Sequence, residues 1–114
     1  MPHIVLEYSE NVADRHDIQS LCELAFDFAA RSGVFPDTGA IKTRALPVAF
    51  YKIGTEPQSF LHVTIQLLDG RPIEVQKTLT SGLLDLLAKT VPDVGSLSVD
   101  IKETLRATYQ KRVL

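Results

Sequence analysis

The sequence has one cysteine, one methionine and no tryptophan, and only 7% of its 114 residues are aromatic. A lone cysteine, Cys22, excludes an intrachain disulfide and suits a reducing compartment. It falls among the apolar positions of a predicted helix and reads as core filling. Neither sign of charge dominates: 12 Lys and Arg stand against 14 Asp and Glu, for a net charge of −2. That balance argues against nucleic acid or a membrane surface as the main partner. No apolar run reaches the ~18 residues that a membrane span requires, and no charged segment followed by an apolar stretch opens the chain. The expected location is cytoplasmic. Ligand signatures are missing too. His3, His16 and His62 lack metal-ligand spacing, and HExxH, CxxC, GxSxG and a glycine-rich phosphate loop are all absent. No metal and no cofactor is expected, and hydrolase and nucleotide-binding readings have no support.

What the sequence does contain is 45% hydrophobic residues in two kinds of period, enough for one compact domain over residues 1–114. His3 to Tyr8 reads as a strand. Asp17 is a plausible helix cap, and Ile18, Leu21, Cys22, Ala25 and Ala29 recur at helical spacing behind it. Gly33 and Pro36-Asp37-Thr38-Gly39 supply a stop and a turn. A second extended segment runs from Ile41 to about Tyr51, and Pro47 inside it implies an edge, a bulge or an early end. After a polar connection the order repeats. Leu61, Val63, Ile65 and Leu67 alternate with polar residues as a strand. Pro72 suits a first helical turn, and Leu79, Leu83, Leu86, Leu87 and Val91 mark the helix face. Leu97, Val99 and Ile101 form a last strand. The tail, Leu105 to Leu114, carries Arg106, Lys111 and Arg112 without a clear period.

The pattern is thus β-α-β twice, in units of about 2–53 and 59–104. The crossovers are right-handed, so the two units can merge into an α+β fold with one four-stranded sheet and both helices on one face. The other face is left bare, and covering its apolar component with further subunits points to an oligomer.

Pro2 stands at the head of the first strand. Once Met1 is removed, its nitrogen is a secondary amine fixed to a rigid element. An α-amino group titrates near ~7.7–8.0, and burial or nearby cations lower that value, which places a base close to neutrality for proton transfer. While acylated by Met1 the same nitrogen is a tertiary amide and cannot act. Lys42 and Arg44, two apart in an extended segment, project from one face. Arg71 sits at a strand end just before the second helix, where backbone N–H groups also favour anions. Together they suit a small substrate bearing several carboxylates; the alternative is that all three are solvated surface charges.

Met1-Pro2-His3, the paired β-α-β units and Gly70-Arg71-Pro72 resemble the tautomerase superfamily. Within it, Glu7, Ser9-Glu10-Asn11, Gly33-Val34-Phe35-Pro36 and Ile41-Lys42-Thr43-Arg44 resemble the 5-carboxymethyl-2-hydroxymuconate Δ-isomerases over nearly the whole length. The resemblance implies a cofactor-free isomerase of homoprotocatechuate breakdown that forms homotrimers with sites near subunit boundaries. It implies Pro2 as general base, with Arg71 and the Lys42/Arg44 segment binding substrate. One extra residue in the turn before Ile41 shifts the match there. The family's arginine corresponds best to Lys42, with Arg44 as the neighbouring match, and lysine keeps the charge but loses the planar fork. A tautomerase or decarboxylase acting on another 2-oxo or enol acid, and a non-catalytic trimeric binding protein of the same fold, remain as alternatives.

Overall fold

The computed structural model describes residues 1–114. Its elements are β1 (His3–Ser9), α1 (Ile18–Arg31), β2 (Lys42–Val48), β3 (Phe60–Leu68), α2 (Ile73–Thr90) and β4 (Ser96–Thr104). Single 3₁₀ turns lie at Glu10–Asp14, Thr38–Ala40 and Arg106–Thr108.

Local chemistry explains the boundaries. Asp17 caps α1: its Oδ1 accepts the Ser20 N–H at 3.2 Å and satisfies one of the free donors of the first turn. The buried stripe of α1 is Leu21, Cys22, Ala25 and Ala29, as the spacing predicts. The Pro36–Gly39 turn closes when the Asp37 carboxylate accepts the Gly39 N–H at 3.1 Å. Pro72 precedes the first residue of α2, whose buried residues are Leu79, Leu83 and Leu87. Leu86, expected on the same face, is only half-buried. A side chain at Gly82 would press on the Phe28 ring at 3.1 Å, so glycine permits the close approach of α2 to α1.

The sheet order is β2-β1-β3-β4. β1 pairs parallel with β2, β3 pairs parallel with β4, and the central β1–β3 pair is antiparallel. Pro47 falls on an edge strand, where its missing donor costs nothing, and β2 ends one residue later at Val48 instead of reaching Tyr51. Residues 49–58 form a connection held by the Gln58 amide, which donates to the carbonyls of Ile53 (2.8 Å) and Thr55 (2.7 Å).

Alternation sorts the two faces. Ile4, Leu6, Leu61, Val63, Ile65 and Leu67 are buried beneath the helices with Leu79, Leu83, Leu87 and Val91. Truncating a fully buried leucine such as Leu83 in such a core costs about 2–5 kcal/mol. The opposite face carries no helix and is mainly polar. His3, Glu7, Lys42, Arg44, His62, Thr64 and Gln66 share it with a small apolar set that includes Val5 and Leu46. Leu46 is 48% exposed. The bare face expected from sequence is therefore real, but its chemistry is one of hydrogen bonds and charge more than of apolar surface.

Strand direction now fixes which loops meet. β1 and β2 begin at the end of the sheet where β3 and β4 finish. Pro2, Lys42, Arg71, the start of α2 and the C-terminal tail all gather there.

Candidate functional site

Pro2 is fully buried at the head of β1, and its carbonyl accepts the Lys42 N–H at 3.0 Å, which zips the first residues of β1 to β2. From β2 the Lys42 side chain turns back, and its Nζ donates to the Ala40 carbonyl at 2.9 Å. On the other side, Gly70 adopts a φ of +111°, a left-handed conformation that a side chain would strain, and this turns the chain into Arg71. The Arg71 Nη1 donates to the Leu68 carbonyl at 3.2 Å, and its guanidinium lies 5.0 Å over the buried Phe35 ring. A stacked, hydrogen-bonded guanidinium is held in one orientation while keeping donors free. The positive end of α2 begins at the next residues and adds to the field.

The amino group of the chain reports that field directly. Burial first, then the charges of Lys111 and Lys42, push its pKa below the ordinary amine value; Arg71 adds to this, and Asp37 acts in the opposite direction. Asp37 offsets part of this field, but no carboxylate is in an ion pair with the cations. The ion pairs of the structure are His16–Asp93, Lys77–Glu74, Lys102–Asp100 and Arg106–Asp69, and none includes Lys42, Arg44, Arg71 or Lys111.

The structure brings Lys42 and Arg71 to the buried Pro2 end. Arg44 is set one strand step further along the open face, where its Nη1 donates to His3 Nδ1 at 3.1 Å. Lys111 and Tyr109 join this end without any local signal: the tail has no period, and only folding returns it to the amino terminus, where Lys111 acts on the amino group and the Tyr109 hydroxyl lies 3.1 Å from His3 Nε2. The clefts of the single chain run along α1, between α1 and α2, and beside the 11–15 turn; none includes Pro2, Lys42 or Arg71. The cationic end is an open surface.

Two parallel β-α-β units joined through an antiparallel centre, with both helices on one face and a cationic end around a buried proline, define a tautomerase-like α+β protein. A family model for 5-carboxymethyl-2-hydroxymuconate isomerase matches residues 2–112. Among solved structures, a 5-carboxymethyl-2-hydroxymuconate isomerase from Deinococcus radiodurans R1 is 30% identical with a TM-score of 0.83, covering 97% of this chain and 88% of that one. A 5-carboxymethyl-2-hydroxymuconate delta-isomerase is 23% identical with a TM-score of 0.75, covering 99% of this chain and 88% of that one. A fused 4-OT, described as a wild type symmetric trimer, shares the fold at 12% identity and a TM-score of 0.74, covering 96% of this chain and 90% of that one. A search of curated proteins gave no match. The chain belongs to the 5-carboxymethyl-2-hydroxymuconate isomerase family, and it is an isomerase. No helix is long and apolar enough to cross a membrane.

Proposed function

We propose that the protein isomerises 5-carboxymethyl-2-hydroxymuconate, with the amine of Pro2 as general base after removal of Met1. The observation that carries this reading is the cluster of Lys42, Arg71 and Lys111, none of them in an ion pair, around the buried head of β1. Removing Met1 moves the amine one residue inward, into a more buried position under the same cations. Both influences favour the neutral, proton-accepting form. Pro2 takes a proton from the 2-hydroxydienoate, and the electrons spread over the conjugated system as a dienolate. The prolinium then returns a proton to a carbon further along, so one proton leaves and one arrives with no change in oxidation state. Arg71 grips a carboxylate or the developing oxyanion through its free donors, and Lys42 supplies a second positive charge. Arg44 extends the grip along the open face.

The protein works as a homotrimer. Three features support this: the open cationic surface that no cleft of the single chain encloses, the bare sheet face, and the symmetric trimer recorded for the fused 4-OT. A neighbouring copy would wall the site and exclude water.

The test is kinetic. Enzyme shown by intact mass to begin at Pro2 is assayed against 5-carboxymethyl-2-hydroxymuconate, other 2-hydroxydienoates and phenylpyruvate. The proposal expects the first to give the highest kcat/KM, with an acid limb governed by an amine that titrates below its ordinary range. Full activity in enzyme that retains Met1 would remove the proline mechanism. Preference for another enol acid would change the substrate while keeping the base.

A further inference from the structure

We propose that His3 is a positioning residue for Arg44, and that Tyr109 of the C-terminal tail holds the His3 ring in the tautomer this requires. The inference rests on the reading of Arg44 as part of the anion grip and extends it to residues that make no proton transfer themselves.

A guanidinium has donors only, so the 3.1 Å contact between Arg44 Nη1 and His3 Nδ1 makes that ring nitrogen the acceptor. The ring proton then sits on Nε2, which donates to the Tyr109 hydroxyl oxygen at 3.1 Å. Edge-on packing of the two rings, with centroids 6.2 Å apart and planes at 71°, fixes the orientation of the imidazole. The result is a relay from tail to β1 to β2 across residues 109, 3 and 44. Arg44 is exposed and forms no ion pair, so without His3 its long side chain would sample many rotamers. Holding it in advance lowers the ordering cost that an anion meets on binding.

The charges around His3 keep it an acceptor. Arg44 and Lys42 face it from β2, the amino terminus lies beside it, Tyr109 approaches from the tail, and β3 offers only the neutral Gln66 opposite. Burial and these cations lower its affinity for a proton. When His3 does gain one, both ring nitrogens become donors, the bond to Arg44 is lost and two cations repel. The grip therefore loosens on acidification, independently of the base.

Three variants in mature enzyme test this. With 5-carboxymethyl-2-hydroxymuconate as the probe, His3→Ala raises KM about tenfold with kcat changed less than about twofold, the split expected for lost pre-organisation. His3→Asn keeps an acceptor oxygen near the position of Nδ1 but cannot titrate, so it restores most of the KM and flattens its rise toward low pH. Long-range ¹H–¹⁵N spectra of wild type show the Nε2-protonated tautomer of His3, and Tyr109→Phe gives a mixture. An unchanged KM in His3→Ala, or a ring protonated at Nδ1 in wild type, overturns the inference. If wild type turns over no 2-hydroxydienoate, the functional reading falls, while the ring spectra still decide whether the relay exists.

Discussion

The two ends of the sheet are built from equivalent parts and are finished differently. An approximate twofold between β1 and β3 relates them, so Ser59 before β3 occupies the place that Pro2 occupies before β1, and Ser96 corresponds to the neighbourhood of Lys42. At the Ser59 end the polar groups are satisfied internally. The Ser9 hydroxyl, fully buried, donates to Asn11 Oδ1 at 2.6 Å and accepts the Phe60 N–H at 2.9 Å, while the Asn11 amide donates to the Gln58 carbonyl at 2.8 Å. Ser59 Oγ accepts the Gly95 N–H at 2.9 Å, and His16 pairs with Asp93 at 2.6 Å. At the Pro2 end the same backbone geometry presents Lys42, Arg71 and Lys111 with no carboxylate paired to them. Duplicated architecture therefore does not dictate function. One end pairs its charges and polar groups within the fold, and the other leaves its cations without ion pairs, which on the proposed function serve an anion.

The contrast can be broken most strongly at Pro2. Pro2→Ala should lower kcat by about 10²-fold or more, because a positioned base contributes ~10²–10⁴-fold, while the melting temperature changes little. Residual turnover from the primary amine that replaces it is consistent with this; wild-type turnover is not. Arg71→Ala comes next: losing a charge-assisted grip worth about 1.5–3 kcal/mol raises KM roughly 10- to 100-fold, and Arg71→Lys recovers only part of it. Unchanged kinetics would remove Arg71 from the site.

At the opposite end the same kind of change should register in stability alone. Gly95→Ala places a methyl group against the Pro57 carbonyl oxygen, and overpacking of this kind costs about 1–3 kcal/mol. Ser9→Ala leaves the Phe60 N–H and the Asn11 side chain short of partners, for about 1–3 kcal/mol in chemical denaturation with kcat/KM preserved. A fall in kcat/KM matching that of Arg71→Ala would show that the two ends are not separable. The smallest effect concerns Asp93. The hydrogen bond from His16 lowers the Asp93 pKa, so its contribution to stability is present above pH 3.8 and is lost as pH falls through the depressed value. Melting curves between pH 5 and pH 2.5 should drop less steeply in His16→Ala than in wild type, by a small margin because the pair is partly exposed.

The parts of this molecule written in local periods could be read before folding. Helical spacing from Ile18, the Asp17 cap, alternation at Leu61–Leu67 and the edge signal of Pro47 all correspond to observed elements. Pro2, Lys42 and Arg71 could be singled out because residue type, position in an element and net charge already constrain them. Arg44 pairs with Lys42 in the sequence pattern, yet its partner in the fold is His3, a strand histidine without metal-ligand spacing. The remainder depends on contacts that sequence distance conceals. His3 meets Arg44 across 41 residues and Tyr109 across 106, and no local pattern encodes either meeting. The open face was expected to need cover for its apolar component; alternation at Leu61–Leu67 already marks that face as largely polar, but not how the strands align across it.

The burial of Pro2 also sets an order of events during synthesis. In the folded chain Pro2 is buried, its carbonyl bonded to Lys42 of β2, with the tail's Tyr109 against the next residue, His3, so the segments around it are all made later. A peptidase that removes Met1 has its best access while the chain is still emerging, before those later segments exist to cover the bond. On the proposed mechanism, maturation is a race between trimming and folding. Protein that folds first with Met1 in place would, under that mechanism, carry an acylated nitrogen unable to act as the base, and the active fraction of a preparation would report how its first residue was processed as much as how well it folded.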